Sequence, residues 1–265
     1  MKNIIKEELS EILKRHLMWL NGEVGGKCAN LGGADLRYAN LRGADLRNAN
    51  LYNANLEHAN LINTDLRGAN LGYANLEYAS LINANLECAK LYNANLEYTN
   101  LVCSNLKYAD LRKVILRRAD LINANLNDAN LRGANLYDAN LWDANLENIK
   151  INIDTIGYNL ACPEEGSFIG YKKANRHIIK LLILEDAKRS SATTMKCRCD
   201  KAKVLEIENI ETGEKVKEIN SNYDLKFIYK VGEIVSVDNF DDNRWHECAP
   251  GIHFFTNKEN AINYY

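Results

Sequence analysis

The stretch ADLRYANLRGADLRNANL, from Ala34 to Leu51, repeats one five-residue pattern without a break. The same spacing places a leucine at every fifth position from Leu31 to Leu146, which makes 24 consecutive units. Alanine lies two residues before the leucine in 20 units, and asparagine or aspartate lies directly before it in 21. A period of five matches neither the helix nor the alternating strand, so the pattern predicts a repeat architecture.

The residue types predict how each unit packs. Leucine fills a narrow interior, and alanine fits the second inward position without a clash. Four units replace this alanine by other small or β-branched residues, Thr64, Thr99, Ser104 and Val114. We expect every leucine of the run to be buried. We expect the asparagines and aspartates to lie near the corners, because short polar side chains tolerate tight turns and bond nearby backbone.

Roughly residues 28–150 resemble the pentapeptide-repeat family, whose unit reads A-(D/N)-L-x-x. The resemblance implies a mainly β chain with a right-handed quadrilateral β-helix, four units per coil and about six coils here. The sequence carries its own sign of a 20-residue coil, since LIN recurs at Leu61, Leu81 and Leu121.

Three segments follow from these patterns. Residues 1–27 contain IIKEELSEILKRHLMWL, an amphipathic helix that NGEVGG ends. We expect it to cap the first coil. A partner-binding or membrane-surface role stays open, and the mixed rather than basic charges of the helix argue against a membrane. Residues 28–156 form the repeat domain, in which Ile151 and Ile156 continue the five-residue spacing. After the linker CPEEGS, residues 163–265 are expected to form a small α+β domain.

The third segment contains short runs typical of strands, at residues 168–172, 178–184, 203–207, 227–229, 233–237 and 252–255. NKENAINYY, residues 257–265, predicts a capped terminal helix. The stretches EGSFIGYKK, DAKRSSATTMKCRCDKAKVL and ECAPGIHFF resemble a domain of unknown function that follows pentapeptide repeats in bacterial and phage proteins. That resemblance implies no activity.

Composition narrows the classes of partner. The chain has 265 residues and a net charge of −2, and residues 28–150 carry 12 basic and 13 acidic side chains. This balance argues against direct nucleic-acid binding, and no run of eighteen apolar residues predicts a membrane span. Seven cysteines without a secretion signal favour reduced thiols and a cytoplasmic location. No motif predicts a cofactor.

A 20-residue coil would align side chains into columns. One column carries an apolar stripe, which we expect another surface to cover, either the C-terminal domain or a second chain; its members are Ile62, Ile82, Val102, Ile122 and Trp142. The alternative is that the stripe has no binding role and reflects only the preference of β-branched residues for stacked strands.

Two charged groups are further candidates. Glu57, Glu77 and Glu97 form an acidic ladder beside His58, Tyr78 and Tyr98, suited to a basic partner or to imitating phosphates, unless it is a solvated face. Five basic residues cluster where the repeat is weakest, and they predict either an anion-binding or partner-binding patch or a local distortion with solvated charges; they are Lys107, Arg112, Lys113, Arg117 and Arg118.

The C-terminal segment offers two weak chemical candidates. Cys197, Cys199, His246 and Cys248 are zinc-ligand types, but the spacing is unusual for zinc, and reduced cysteines in the core are the simpler interpretation. GIHFFTNKENAINYY is similar to a stretch of ADP-ribosyltransferases, in which His253 and Tyr264 would take the corresponding positions. The chain ends before a strand that could carry the catalytic glutamate of that family.

Three functions therefore stay open. The first is a non-enzymatic scaffold that binds a protein partner, or a second copy of itself, through flat side-chain ladders. The second is a DNA mimic that modulates a type II topoisomerase, as some pentapeptide-repeat proteins do. The third is a C-terminal domain that binds a ligand or metal or acts as an ADP-ribosyltransferase.

Overall fold

The computed structural model describes the backbone of residues 2–264, and it divides the chain into two compact units, Met1–Tyr158 and Asn159–Tyr265. The structure is mainly β. The first unit begins with strand β1 (Lys2–Asn3), helix α1 (Lys6–Leu20) and strand β2 (Ala34–Asp35), and β1 pairs in parallel with β2.

Helix α1 is held against the chain that enters the repeat. The Nδ1 atom of the buried His16 accepts a hydrogen bond from the backbone N–H of Ala29 at 3.0 Å. Gly26 lies so close to the helix that a Cβ atom there would be 2.4 Å from the Trp19 nitrogen. Only glycine permits this approach, so Gly26 sets the distance between α1 and the first repeats.

Parallel bridges join residues that are 20 positions apart throughout the repeat, from Asn30↔Asn50 to Asn130↔Lys150. One turn of the chain therefore consists of four five-residue units. Backbone bonds hold successive turns together: the Leu51 N–H donates to the Asn70 carbonyl at 2.8 Å, and the Asn70 N–H donates to the Ala49 carbonyl at 2.9 Å. The backbone N–H and C=O groups at these bridges are thus paired with those of neighbouring turns.

The leucine positions of the interior are as expected except at the end. The leucines from Leu31 to Leu141 are buried, whereas Leu146 is only half-buried, because it lies in the last turn. The alanines before the buried leucines are buried too, except the half-buried Ala39 and Ala44. Thr64 and Thr99 fit the alanine position because their hydroxyls donate to the carbonyls of Leu41 and Leu76, both at 2.8 Å.

The corners are not where the sequence placed them. The asparagines and aspartates lie in the bridges, and the turn comprises the first and second residues after each leucine. The second of these has a φ between 53° and 71° in every unit, a left-handed conformation that favours Gly, Asn and Asp. The bridge asparagine stabilises the turn from its strand, as when Asn55 Oδ1 accepts from the Glu57 N–H at 3.1 Å.

The repeat ends one position out of phase. The last bridge joins Asn135 to Ile156, 21 residues apart, so one residue has been inserted. Thr155 therefore takes the buried alanine position, and its hydroxyl donates to the Leu131 carbonyl at 3.1 Å. Ile156 is 54% exposed, and the expectation that it continues the leucine spacing is wrong.

The second unit contains a seven-stranded antiparallel sheet in the order β10-β7-β4-β3-β11-β6-β5 and a β8-β9 hairpin. Its elements are β3 (Phe168–Ala174), β4 (His177–Ile183), β5 (Arg189–Ser191), β6 (Lys196–Cys199), β7 (Lys201–Asn209), β8 (Glu218–Asn220), β9 (Ile228–Lys230), β10 (Ile234–Ser236), β11 (Ile252–Phe255) and α2 (Lys258–Asn263).

Each face of this sheet has its own core. The larger core contains Leu181, Val204 and Phe254, and the smaller one joins Ile178 and Phe255 to Ala261 of α2. Asn257 caps α2 by accepting from the Glu259 N–H at 2.8 Å, as the sequence predicts; Tyr265, which the prediction also included, lies outside the described residues.

Candidate functional site

The 20-residue register stacks the two turn residues of each unit into columns along the repeat. The side chains of the apolar stripe, defined above as Ile62, Ile82, Val102, Ile122 and Trp142, occupy the first turn position of one column. The four aliphatic members are half-buried, and Trp142 is 38% exposed. The stripe is thus a continuous line of partly accessible apolar surface.

The acidic ladder occupies the same turn position in the preceding column, and its three glutamates have different partners. Glu97 accepts hydrogen bonds from the guanidinium of Arg117, one turn further along. Glu57 Oε1 lies 3.8 Å from His58 Nε2, and Asn95 Nδ2 donates to Glu77 Oε2 at 3.4 Å. Glu97 is therefore the member of the ladder whose charge is paired with a guanidinium.

An aromatic stack accompanies the ladder at the second turn position, and sequence reasoning did not identify it as a stack. Its members are Tyr38, His58, Tyr78 and Tyr98, with ring centroids 4.8 to 5.0 Å apart and planes within 9° of parallel. The Arg118 guanidinium continues the column, lying 5.5 Å from the Tyr98 ring centroid, and Arg118 Nε donates to Asp138 at 2.9 Å. The 20-residue spacing of these four residues is the sequence signal that could have predicted the stack.

One face of the repeat lies between the aromatic stack and the apolar stripe. Between Tyr78 and Ile82 the chain passes through the buried Ala79 and Leu81 and the half-buried Ser80. The same order recurs from His58 to Ile62 and from Tyr98 to Val102. We call this surface, residues 58–62, 78–82 and 98–102, the aromatic–aliphatic face.

The basic cluster is largely paired and undistorted. Arg112 binds Asp110 at 2.6 Å, Arg117 binds Glu97, and Lys107 Nζ lies 4.9 Å from the Tyr108 ring centroid. The bridges Asn95↔Ile115 and Ile115↔Asn135 continue through this region, so the alternative of a local distortion is wrong. Lys113 and Arg132 line an open cavity of about 580 Å³ with Tyr92.

The four zinc candidates do not converge on one point. Cys197 and Cys199 are buried, Cys248 is exposed, and His246 Nδ1 lies 2.8 Å from Asp241 Oδ2. Burial raises the pKa of the Cys199 thiol, which disfavours the thiolate that a metal requires. Across residues 2–264, no group of three or more His, Cys, Asp or Glu side chains is arranged to hold a metal ion.

His253 and Tyr264 lie at one cavity of about 510 Å³ in the second unit. Burial lowers the pKa of His253 to about 4, so its ring is neutral at pH 7, and its Nε2 atom lies 2.9 Å from the Ala249 carbonyl. The Tyr264 hydroxyl accepts from Lys196 Nζ at 3.1 Å. Sequence reasoning missed Lys172 and Lys196, which also line this cavity, because nothing distinguishes them from surface lysines.

Within the described residues, no helix is both long and apolar enough to cross a membrane.

The chain is similar to two families. Residues 29–152 match the model of pentapeptide repeats in four overlapping stretches, 29–68, 65–101, 79–118 and 115–152. Residues 158–261 match a family of unknown function, DUF5758. No curated protein matches the chain.

Several solved structures are also similar. HetL, a pentapeptide repeat protein involved in heterocyst differentiation regulation in the cyanobacterium Nostoc, is 34% identical, and the alignment covers 47% of this chain and 66% of HetL, just under two thirds, with a TM-score of 0.32. A pentapeptide repeat protein from the Arabidopsis thaliana thylakoid lumen is 24% identical over 46% of this chain and 70% of its own, with a TM-score of 0.33.

QnrB1, a plasmid-mediated fluoroquinolone resistance protein, is 16% identical over 47% of this chain and 82% of its own, with a TM-score of 0.27. The two family matches lie side by side and leave few residues between them. Residues 29–152 are therefore pentapeptide repeats, and they are followed by a segment, residues 158–261, of the DUF5758 family.

Proposed function

We propose that this protein is a non-enzymatic scaffold and that it binds a protein partner through the aromatic–aliphatic face. In this proposal residues 28–156 form a right-handed quadrilateral β-helix of about six coils, and α1 covers its first coil. The 20-residue bridges and the buried leucines support the β-helix. The contacts of His16 and Gly26 support the capping role of α1.

The observation that carries the proposal is that an aromatic column and an aliphatic column border the same face. The aromatic stack places tyrosine and histidine edges at one corner, and the apolar stripe lies at the next. Tyrosine supplies a large apolar area together with a hydroxyl, and it is enriched at protein interfaces. The bridges fix this surface in register, so little conformational entropy is lost on binding.

Quantitative affinity capture with the full chain tests the proposal. The double variant Ile82→Arg/Val102→Arg places two charges in the middle of the face. The matched control is Glu87→Arg/Lys107→Glu, at the same turn positions of another column. We expect a partner that the wild type retains to be lost from the first variant and kept by the control. Identical capture by both variants would contradict the proposal.

A second copy of the chain is one alternative occupant of this face. Light scattering distinguishes it, because a self-associating wild type would fall to the monomer mass in Ile82→Arg/Val102→Arg. We expect the wild type and the variant to have the same, monomeric mass, because a different protein and not a second copy of the chain binds this face.

A further inference from the structure

The sheet of the second unit is split beside strand β11. Strands β3 and β11 are neighbours, but they pair only through Tyr171 and Phe255. Further along, Lys172 Nζ lies between the strands and donates to the His253 carbonyl at 3.3 Å. The split borders the cavity of about 510 Å³, a volume within the range of roughly 300–1,000 Å³ that is typical of small-molecule sites.

Three lysines line this cavity, and two of them, Lys172 and Lys196, have no carboxylate among their hydrogen-bond partners. Lys196 is 7% exposed; its Nζ donates to the Tyr264 hydroxyl at 3.1 Å and lies 3.8 Å from Cys248 Sγ. Lys172 has the His253 carbonyl as its hydrogen-bond partner. In the part of the chain that the structure describes, neither amine forms an ion pair.

The buried amine of Lys172 costs stability. Lys196 differs, because its pKa is raised despite desolvation by burial, through the hydrogen bond with Tyr264 and the charge of Glu247. Burial is the largest cause that lowers the pKa of Lys172 to about 8, and the charge of Lys196 lowers it further. A buried ammonium is destabilising unless an anion compensates it. An arrangement of this kind is typical of a site whose ligand brings the opposite charge.

The other residues that line the cavity indicate which chemical group accompanies the negative charge of the ligand. Phe227 and Tyr229 supply aromatic surface, and Lys172 Nζ lies 5.9 Å from the centroid of the Tyr229 ring. Their own rings meet edge to face at a centroid distance of 5.2 Å. A flat apolar ligand suits such walls better than a fully hydrated ion does.

We propose that this cavity is a binding site for a small aromatic carboxylic acid. Its carboxylate accepts hydrogen bonds from Lys172 and Lys196, and its ring packs against Phe227 and Tyr229. This site is independent of the proposed scaffold function, because it lies within the second unit alone.

Fluorine NMR titration of the full chain with 4-fluorobenzoate tests the proposal. Each substitution removes a charged hydrogen bond to the carboxylate, so we expect Lys172→Met and Lys196→Met each to weaken binding by about tenfold or more. Lys203→Met is the matched control, because Lys203 is exposed on β7 and outside the cavity; its affinity should equal that of the wild type. Binding should also weaken as the pH rises above 8, where Lys172 loses its proton.

Two probes separate the ligand classes. We expect the neutral isostere 4-fluorobenzamide to bind about tenfold more weakly or worse, and inorganic phosphate not to displace 4-fluorobenzoate. Equal binding of the amide, or displacement by phosphate at a similar concentration, would overturn the assignment to aromatic carboxylates. Absence of saturable binding up to about 10 mM would overturn the site itself.

A measurement on the wild-type sequence covers the case in which a substitution prevents folding. Reductive ¹³C-methylation keeps the charge of the lysines, and the labelled amines report the ligand directly. The signals of Lys172 and Lys196 should shift on addition of 4-fluorobenzoate, and that of Lys203 should not. Shifts confined to lysines outside the cavity would refute the site.

Discussion

The ring of His58 stacks on the ring of Tyr78, with centroids 5.0 Å apart and planes 9° from parallel. The spacing of neighbouring strands in a sheet is about 4.8 Å, so side chains one turn apart stack face to face when both are planar. Tyr38 and Tyr98 extend the same column. The column therefore contributes to stability as well as forming one border of the aromatic–aliphatic face.

Removal of Tyr78 should measure that contribution. Tyr78→Ala breaks two stacked pairs, each of about 0.5–1.5 kcal/mol beyond area burial, so the free energy of unfolding should fall by about 2 kcal/mol. Tyr108→Ala is the control, because Tyr108 is 51% exposed at the same turn position of another column and is contacted by Lys107. In thermal and denaturant unfolding, Tyr108→Ala should lose much less stability than Tyr78→Ala. Equal losses of stability in the two variants would mean that the stack is not stabilising.

The left-handed corners predict an unusual gain from glycine. Cys88 has a φ of 58°, and this conformation costs a residue with a Cβ atom about 1–2 kcal/mol. Cys88→Gly should therefore raise the free energy of unfolding by about 1 kcal/mol, after the entropy that glycine adds to the unfolded chain. Glu87→Gly, one residue earlier at an ordinary φ, should lower it. A loss of stability in both variants would contradict the assignment of the corners.

The buried Lys172 amine predicts a pH-dependent stability difference. Its pKa is about 8, below the ordinary value of 10.5. Between these values the unfolded chain holds the proton and the folded chain does not, so stability rises with pH. Lys172→Met should therefore be more stable than the wild type below pH 8, by up to about 3 kcal/mol.

This advantage should shrink as the pH approaches 10.5, and urea unfolding of the two proteins from neutral to alkaline pH measures it. Other groups titrate in the same range, and the comparison between the two proteins removes their contribution. A difference in stability that does not change with pH would show that the Lys172 amine is not buried.

The sequence predicted the repeat well because its contacts are periodic. The leucine spacing alone identified the buried residues, and the exceptions are Leu146, Ile151 and Ile156, where the repeat ends and one residue is inserted. The position of the turn within each unit was predicted wrongly. The left-handed position also holds Tyr98, Cys103 and Lys113, and these residue types do not indicate a positive φ. Asparagine before leucine is the more regular signal, but it marks the bridge.

The second unit was harder to predict. Six strands and the terminal helix agree with the runs of apolar residues, whereas β5, β6 and β8 were missed. Strands β5 and β6 carry arginine, serine and cysteine, and β8 is only three residues long. Lys196 and Arg198 of β6 are nevertheless buried. The Nη atoms of Arg198 donate to the backbone carbonyls of Asp241, Asn243 and His246, whereas its buried Nε has no hydrogen-bond partner among the described residues. The cavity depends on the split between β3 and β11, a contact of residues about 80 positions apart that no local pattern reveals.

The charge pairing of the repeat predicts that the protein does not imitate duplex DNA. DNA carries one negative charge per roughly 1.7 Å, whereas residues 28–150 carry 13 acidic side chains against 12 basic ones, and Glu97 is neutralised by Arg117. We expect no inhibition of DNA gyrase supercoiling. The triple variant Glu57→Gln/Glu77→Gln/Glu97→Gln is the control. Salt-sensitive inhibition by the wild type that this variant lacks would refute the scaffold proposal in favour of DNA mimicry.

The most direct test of the scaffold proposal is site-specific photocrosslinking with p-benzoylphenylalanine, placed either at position 82 on the aromatic–aliphatic face or at position 87 on another column. We predict that the full chain labelled at position 82 forms one covalent adduct with a partner protein in cell extract and that the chain labelled at position 87 forms none. The adduct should disappear when Val102→Arg is added. An adduct of equal yield from position 87, or one from position 82 that persists with Val102→Arg, would contradict the assignment of this face as the binding surface.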